Sequence, residues 1–220
     1  KNVEISNKNV SDLISNCMIG IIVGGRLGYV IFYNPEYYFN NLLEIFKIWN
    51  GGMSFHGGFI GVAIAVIYSS KSYKISLMIL SDLISIVSPI GIFFGRIANF
   101  INGELYGKVT NHKFGMIFPK GGSLPRHPSQ LYEAFLEGLL LFIILWLLMN
   151  MSNFFDKKGL MTGCFIFLYG IFRFFVEFLR EPDFHIGNLY LDLSMGQLLS
   201  LPMIIIGLYF IKKFYNRTKI

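Results

Sequence analysis

The chain has 220 residues, of which 54% are apolar, 15% are charged and 23 are Phe, with a formal net charge of +6. Those proportions, with a mean hydropathy of +0.55, exclude an ordinary soluble domain and a disordered segment, and point to a polytopic membrane protein. The basic residues form no continuous stripe, so no nucleic-acid partner is expected.

Six stretches are long and apolar enough to cross about 30 Å of hydrocarbon. They run roughly 17–33, 53–70, 75–101, 130–150, 159–179 and 194–211. No Gly/Ser-rich or Pro-rich linker divides them, which predicts an all-α transmembrane bundle in one integral domain covering 1–220. The polar segment from Lys1 to Asp12 reads as an interhelical loop, with no initiator Met or signal peptide before it, so an upstream span is expected to be missing. With both termini cytoplasmic, ten Lys and Arg lie in the inner loops and tails against six outside, as the positive-inside tendency requires.

The first span carries Gly20, Gly24 and Gly28, a spacing that lets helices approach closely, and Arg26, which fits snorkelling or packing as well as function. The second opens with Gly51-Gly52-Met53-Ser54-Phe55-His56-Gly57-Gly58. His56 is placed there either as a hydrogen-bonded structural group or as a proton-transfer group. The third, with Gly91 and Gly95 four apart, ends in Gly95-Arg96-Ile97-Ala98-Asn99-Phe100-Ile101-Asn102-Gly103-Glu104-Leu105-Tyr106-Gly107, a polar cluster at a bilayer boundary, where unpaired polar groups cost several kcal/mol. Arg96 has no acid at i±3 or i±4, and Asn99 and Gly103 share its face.

The fourth span starts at His127-Pro128-Ser129-Gln130-Leu131-Tyr132-Glu133, with Pro128 suited to the first helical position. The fifth carries Arg173 with Glu177 one turn on, either a structural ion pair or a site pair, and is stopped by Pro182. Arg26, Arg96 and Arg173 fall at similar depth on three outward-running spans and suggest a ring suited to gripping phosphate. Cys17 and Cys164 both fall in spans, where they read as small packing residues.

The motifs at 51–58, 95–107, 126–133 and 169–183, followed by Ser194-Met195-Gly196-Gln197, occur in this order. Together they resemble the bacterial phosphatidylglycerol:prolipoprotein diacylglyceryl transferase family, from about Gly24 to Tyr209. Two positions depart from the family pattern: Ala98 stands where Gly is common and Lys108 where Arg is common. The outer segment from Tyr106 to Arg126 is also short, which bears on substrate docking.

The resemblance implies seven spans, an outward-facing site in the bacterial inner membrane, and attack of a prolipoprotein lipobox thiolate on the phosphate-bearing glycerol carbon of phosphatidylglycerol. A thioether forms and glycerol 1-phosphate leaves. Arg96 and Arg173 would hold the phosphate, with Asn99, Tyr169 and Gly103 contacting the lipid. His56 is the implied base, with Glu104 or Tyr169 able to share the proton traffic. Arg26, His127, Glu133 and Glu177 are expected to support the site, and the motifs demand no cofactor, metal or nucleotide. The competing classes are a small-anion transporter and a non-catalytic lipid-binding membrane protein. The transporter is disfavoured because the polar groups gather at one boundary, with only Asp82 toward the inner side.

Overall fold

A computed structural model of the chain describes residues 5–151, 157–181 and 193–215. Its regular elements are helices; among the described residues the only β pairing is three isolated bridges. The chain divides into two compact units, Lys1–Leu80 and Ser81–Ile220.

In the first unit, α1 (Asn7–Phe32) is capped by the Ser6 hydroxyl, which accepts from the Asn9 amide. This helix starts ten residues before the apolar stretch that predicted it, because the cap and a polar first turn extend it beyond its hydrophobic part. A short α2 (Pro35–Asn40) and two 3₁₀ turns, Leu42–Phe46 and Ile48–Asn50, lead to α3 (Phe55–Tyr73), capped by Ser54. Helices α1 and α3 meet backbone to backbone. A Cβ on Gly20, Gly24 or Gly28 of α1 would overlap the backbone of Gly57 or Gly61 of α3. The Asn16 amide adds hydrogen bonds to Ser69 and Tyr73 across the pair.

α4 (Leu77–Ile101) begins in the last residues of the first unit and belongs from Ser81 onward to the second. The expected fourth span is one continuous helical segment, but it is not uniform. A short α5 (Ser129–Glu133) passes through a seven-residue π-helical stretch, Ala134–Leu140, into α6 (Leu141–Met151). π-turns are rare and occur often at functional positions. Gly138 lies in this one, where a Cβ would come within 2.6 Å of the Phe93 side chain on α4.

α7 (Leu160–Val176) and α8 (Met195–Tyr215) complete the unit. The start of α7 is capped from α4. Asp82, fully buried, accepts from the Gly159 amide at 2.6 Å, the Thr162 amide at 2.8 Å and the Thr162 hydroxyl at 2.7 Å. Asp82, the only inner-side polar candidate in the sequence, therefore satisfies the free amides of a helix end. The spacing of Gly91 and Gly95 suggested close helix approach, yet among the described residues nothing lies within 4 Å of a Cβ placed on either. Pro182, expected to stop the fifth span, lies outside the described residues.

Among the described residues, four helical segments are long and apolar enough to cross a membrane: Asn7–Phe32, Leu77–Ile101, Ser129–Met151 and Met195–Tyr215. α7 is apolar but shorter, at 17 residues. The molecule is an all-α, multi-pass membrane protein.

Candidate functional site

Arginines and carboxylates converge from three segments of the second unit. Arg96 comes from the outer part of α4, Glu133 and Glu137 from α5 and the π-turn, Arg173 from α7, and Glu177 and Arg180 from the turns that follow it. Glu133 is the centre. Its Oε2 lies 2.8 Å from Arg96 Nε and 3.2 Å from Arg173 Nη1, and its Oε1 lies 3.8 Å from Arg180 Nη1. Glu177 pairs with Arg173 Nη2 at 2.7 Å. Glu137 is held more loosely, 3.5 Å from Arg96 Nη2 and 3.7 Å from Arg173 Nη1. Glu133 and Glu137 have no exposed surface, and a carboxylate buried in a low-dielectric interior is costly unless groups such as these guanidiniums pair with it.

Arg96 has no acid one turn away on its own helix, as its sequence neighbours indicate, and pairs instead with Glu133 and Glu137. Its partners lie on a different segment, beyond the reach of any i±4 test. Arg96 and Arg173 share Glu133 and Glu137, whereas Arg26, in the first unit, donates to the carbonyls of Glu44, Ile45, Lys47, Gly51 and Gly52 and lies 5.0 Å over the Tyr38 ring. Those contacts use its donors to pin the segment between α1 and α3.

One small residue shapes the cluster. A Cβ on Gly196 would sit 2.5 Å from the Glu177 carboxyl carbon, so only Gly leaves room for that carboxylate. The neighbouring Ser194 and Gln197 bond each other's amides at the start of α8, at 3.0 and 3.2 Å. Tyr169 lies one turn before Arg173 and stacks on Phe165 with ring centroids 5.9 Å apart.

The polar segment after α4 is tied to the same helices. Gly103, with φ +63, makes the turn, and the Glu104 amide donates to Asn99 O. Gln130 Nε2 donates to Glu104 O at 2.6 Å and Ser129 to Leu105 O at 3.0 Å. The Glu104 carboxylate itself is exposed and bonds Lys120 at 2.9 Å. The Asn99 side chain is half-buried and has no hydrogen bond among the described residues. Gly107 is wedged where a Cβ would come within 2.5 Å of Leu179 O and 2.7 Å of His127 Cβ. Arg126 bridges Gly121 O, Gly107 O and Glu181 while lying over the Tyr106 ring. Burial and, second, the charge of His112 push the His127 imidazole below the usual histidine range.

His56 occupies the first turn of α3 in the first unit, exposed, with its ring edge-on to Phe55. Among the described residues, no group of three His, Cys, Asp or Glu is arranged to hold a metal. Glu137 and Arg180 were not among the sequence candidates. Glu137 did carry a signal: a carboxylate four residues after Glu133, inside an apolar span, is too costly to be incidental.

A family model described as prolipoprotein diacylglyceryl transferase matches residues 1–212. The chain belongs to this family. Proteins named phosphatidylglycerol–prolipoprotein diacylglyceryl transferase are similar to it over most of its length. One from Rickettsia felis is 54% identical over 208 residues, covering 94% of this chain and 80% of the relative. Another from Rickettsia bellii is 53% identical over 210 residues, covering 96% and 80%. A third, from Rickettsia canadensis, is 53% identical over 204 residues, covering 93% and 79%. Every segment of the arginine–carboxylate cluster falls within the matched range of the diacylglyceryl transferase family.

Proposed function

We propose that this chain transfers the diacylglyceryl group of phosphatidylglycerol to the lipobox cysteine thiol of prolipoproteins, releasing glycerol 1-phosphate. The observation that carries this reading is the pair of guanidinium groups, Arg96 and Arg173, fixed side by side by the shared carboxylate of Glu133. A planar fork held in place by a buried acid needs little reorganisation to meet a phosphate. The departing phosphate ester gains charge as its C–O bond breaks, and donors in low dielectric stabilise that charge most. Asn99, Tyr169 and Gly103 are the proposed further contacts to the lipid. A groove of about 410 Å³ lined by Tyr132, Phe135, Leu136, Phe175, Val176 and Leu179 offers an apolar seat for acyl chain, formed by the sequence neighbours of Glu133 and Glu177.

The thiol must lose its proton before it attacks, because the thiolate is the nucleophile. His56 is the proposed base, with Glu104 or Tyr169 able to share the proton. The excess of Lys and Arg in the loops and tails on one side supports an orientation with the site at the outer face of the bacterial inner membrane. Purified protein incubated with phosphatidylglycerol and a lipobox peptide tests the proposal. The peptide is expected to gain the mass of one diacylglyceryl group on its cysteine; a peptide of unchanged mass contradicts the assignment.

A further inference from the structure

We infer that Glu137 is the carboxylate that gives way when a phosphate group enters the arginine cluster, leaving its guanidinium contacts and taking up one proton as the phosphate replaces it. This rests on the reading of Arg96 and Arg173 as the phosphate grip.

Among the described residues the cluster joins three arginines, Arg96, Arg173 and Arg180, to three carboxylates, Glu133, Glu137 and Glu177. A phosphodiester entering a site that already holds three carboxylates adds a further negative charge in a buried place, which is costly unless a carboxylate is neutralised. Geometry selects which one. Glu133 makes direct contacts to two arginines at 2.8 and 3.2 Å, and Glu177 makes one at 2.7 Å. Glu137 approaches no closer than 3.5 Å, and neither of its oxygens accepts a hydrogen bond among the described residues. It therefore stands where a phosphate oxygen would, touching the same two guanidinium groups with the weakest attachment of the three.

The groups facing Glu137 are Arg96 from α4, Glu133 from its own segment, Arg173 and Tyr169 from α7, and Arg180 beyond α7. The three arginines stay charged. Of the acids, Glu133 is retained as the hub, and Tyr169 is a phenol that carries no charge near neutral pH. Glu137 also sits in the π-turn, where the Gly138 backbone abuts Phe93, so its position is set by an irregularity specific to this turn. The proton comes from solvent and adds to a carboxylate oxygen; no bond in the lipid is made or broken in this step.

Calorimetric titration of the detergent-solubilised protein with a short-chain phosphatidylglycerol, in two buffers of different ionisation enthalpy at pH 8.5, counts the protons taken up. The wild-type protein is expected to take up close to one proton per lipid, and its affinity to weaken by up to about tenfold for each pH unit of increase. In Glu137→Gln the lipid still binds and the uptake falls close to zero, while His56→Gln retains it. Lipid binding without proton uptake by the wild type, or uptake unchanged in Glu137→Gln, overturns the inference and leaves the phosphate grip intact. No binding by the wild type removes both. Should Glu137→Gln fail to fold, the wild-type count and the His56→Gln control still decide: uptake that disappears in His56→Gln assigns the proton elsewhere and overturns the inference.

Discussion

Glu133 pairs with arginines from two helices at once. Glu133→Gln keeps the volume and removes the charge, leaving buried guanidinium groups partly uncompensated. It is expected to destabilise the protein by about 3 kcal/mol, read as a lower unfolding temperature in detergent; an unchanged unfolding temperature contradicts the hub role. Gly196→Ala acts on the same cluster from α8, since its Cβ would sit 2.5 Å from the Glu177 carboxyl carbon. Displacing Glu177 loosens Arg173, so transfer is expected to fall by tenfold or more in a protein that still folds. Transfer unaltered in Gly196→Ala would show that Glu177 has room to spare. Arg96, Arg173 and Glu177 were legible from the sequence because arginines and acids inside apolar stretches are rare and one of the pairs is one turn apart. The partners of Arg96 were not, because they come from a segment more than thirty residues away in sequence. Arg26 reads the same as Arg96 by depth and composition; only its carbonyl partners separate the two.

The helices themselves were legible at each apolar stretch, with ends displaced where caps rather than hydropathy decide, as at Ser6 and Ser54. The π-turn was not, since a single-residue change in helical pitch leaves no mark on an apolar run. The anchoring of α7 to α4 rests on Asp82, and Asp82→Ala removes three hydrogen bonds to the start of α7. Loss of bonds to a buried carboxylate predicts a cost of about 2–4 kcal/mol, measured as reduced thermal stability; wild-type stability in Asp82→Ala would mean that other contacts hold α7. The polar segment that follows α4 returns to α5 through His127. Because the folded state holds this imidazole below its ordinary value, the unfolded chain binds the proton more readily. Stability is then fully present above about pH 6.5, the ordinary histidine value, and declines as pH falls below it. His127→Gln should flatten that decline; an equal acid sensitivity in the variant would place the responsible group elsewhere.

Taken together, the molecule is an all-α membrane protein of the prolipoprotein diacylglyceryl transferase family, with a polar arginine–carboxylate cluster built into otherwise apolar helices. In the proposed reaction Arg96 and Arg173 grip the phosphate of phosphatidylglycerol. The most direct measurement is the rate at which a lipobox peptide gains diacylglyceryl mass with the wild type, Arg96→Lys and Arg96→Ala, each checked for folding by its unfolding temperature. Lysine retains the charge and loses the planar fork. Arg96→Lys is therefore expected to turn over at least tenfold more slowly, a loss of about 1.4 kcal/mol or more in transition-state stabilisation, and Arg96→Ala more slowly still. Near-normal turnover in a folded Arg96→Ala would contradict the central claim.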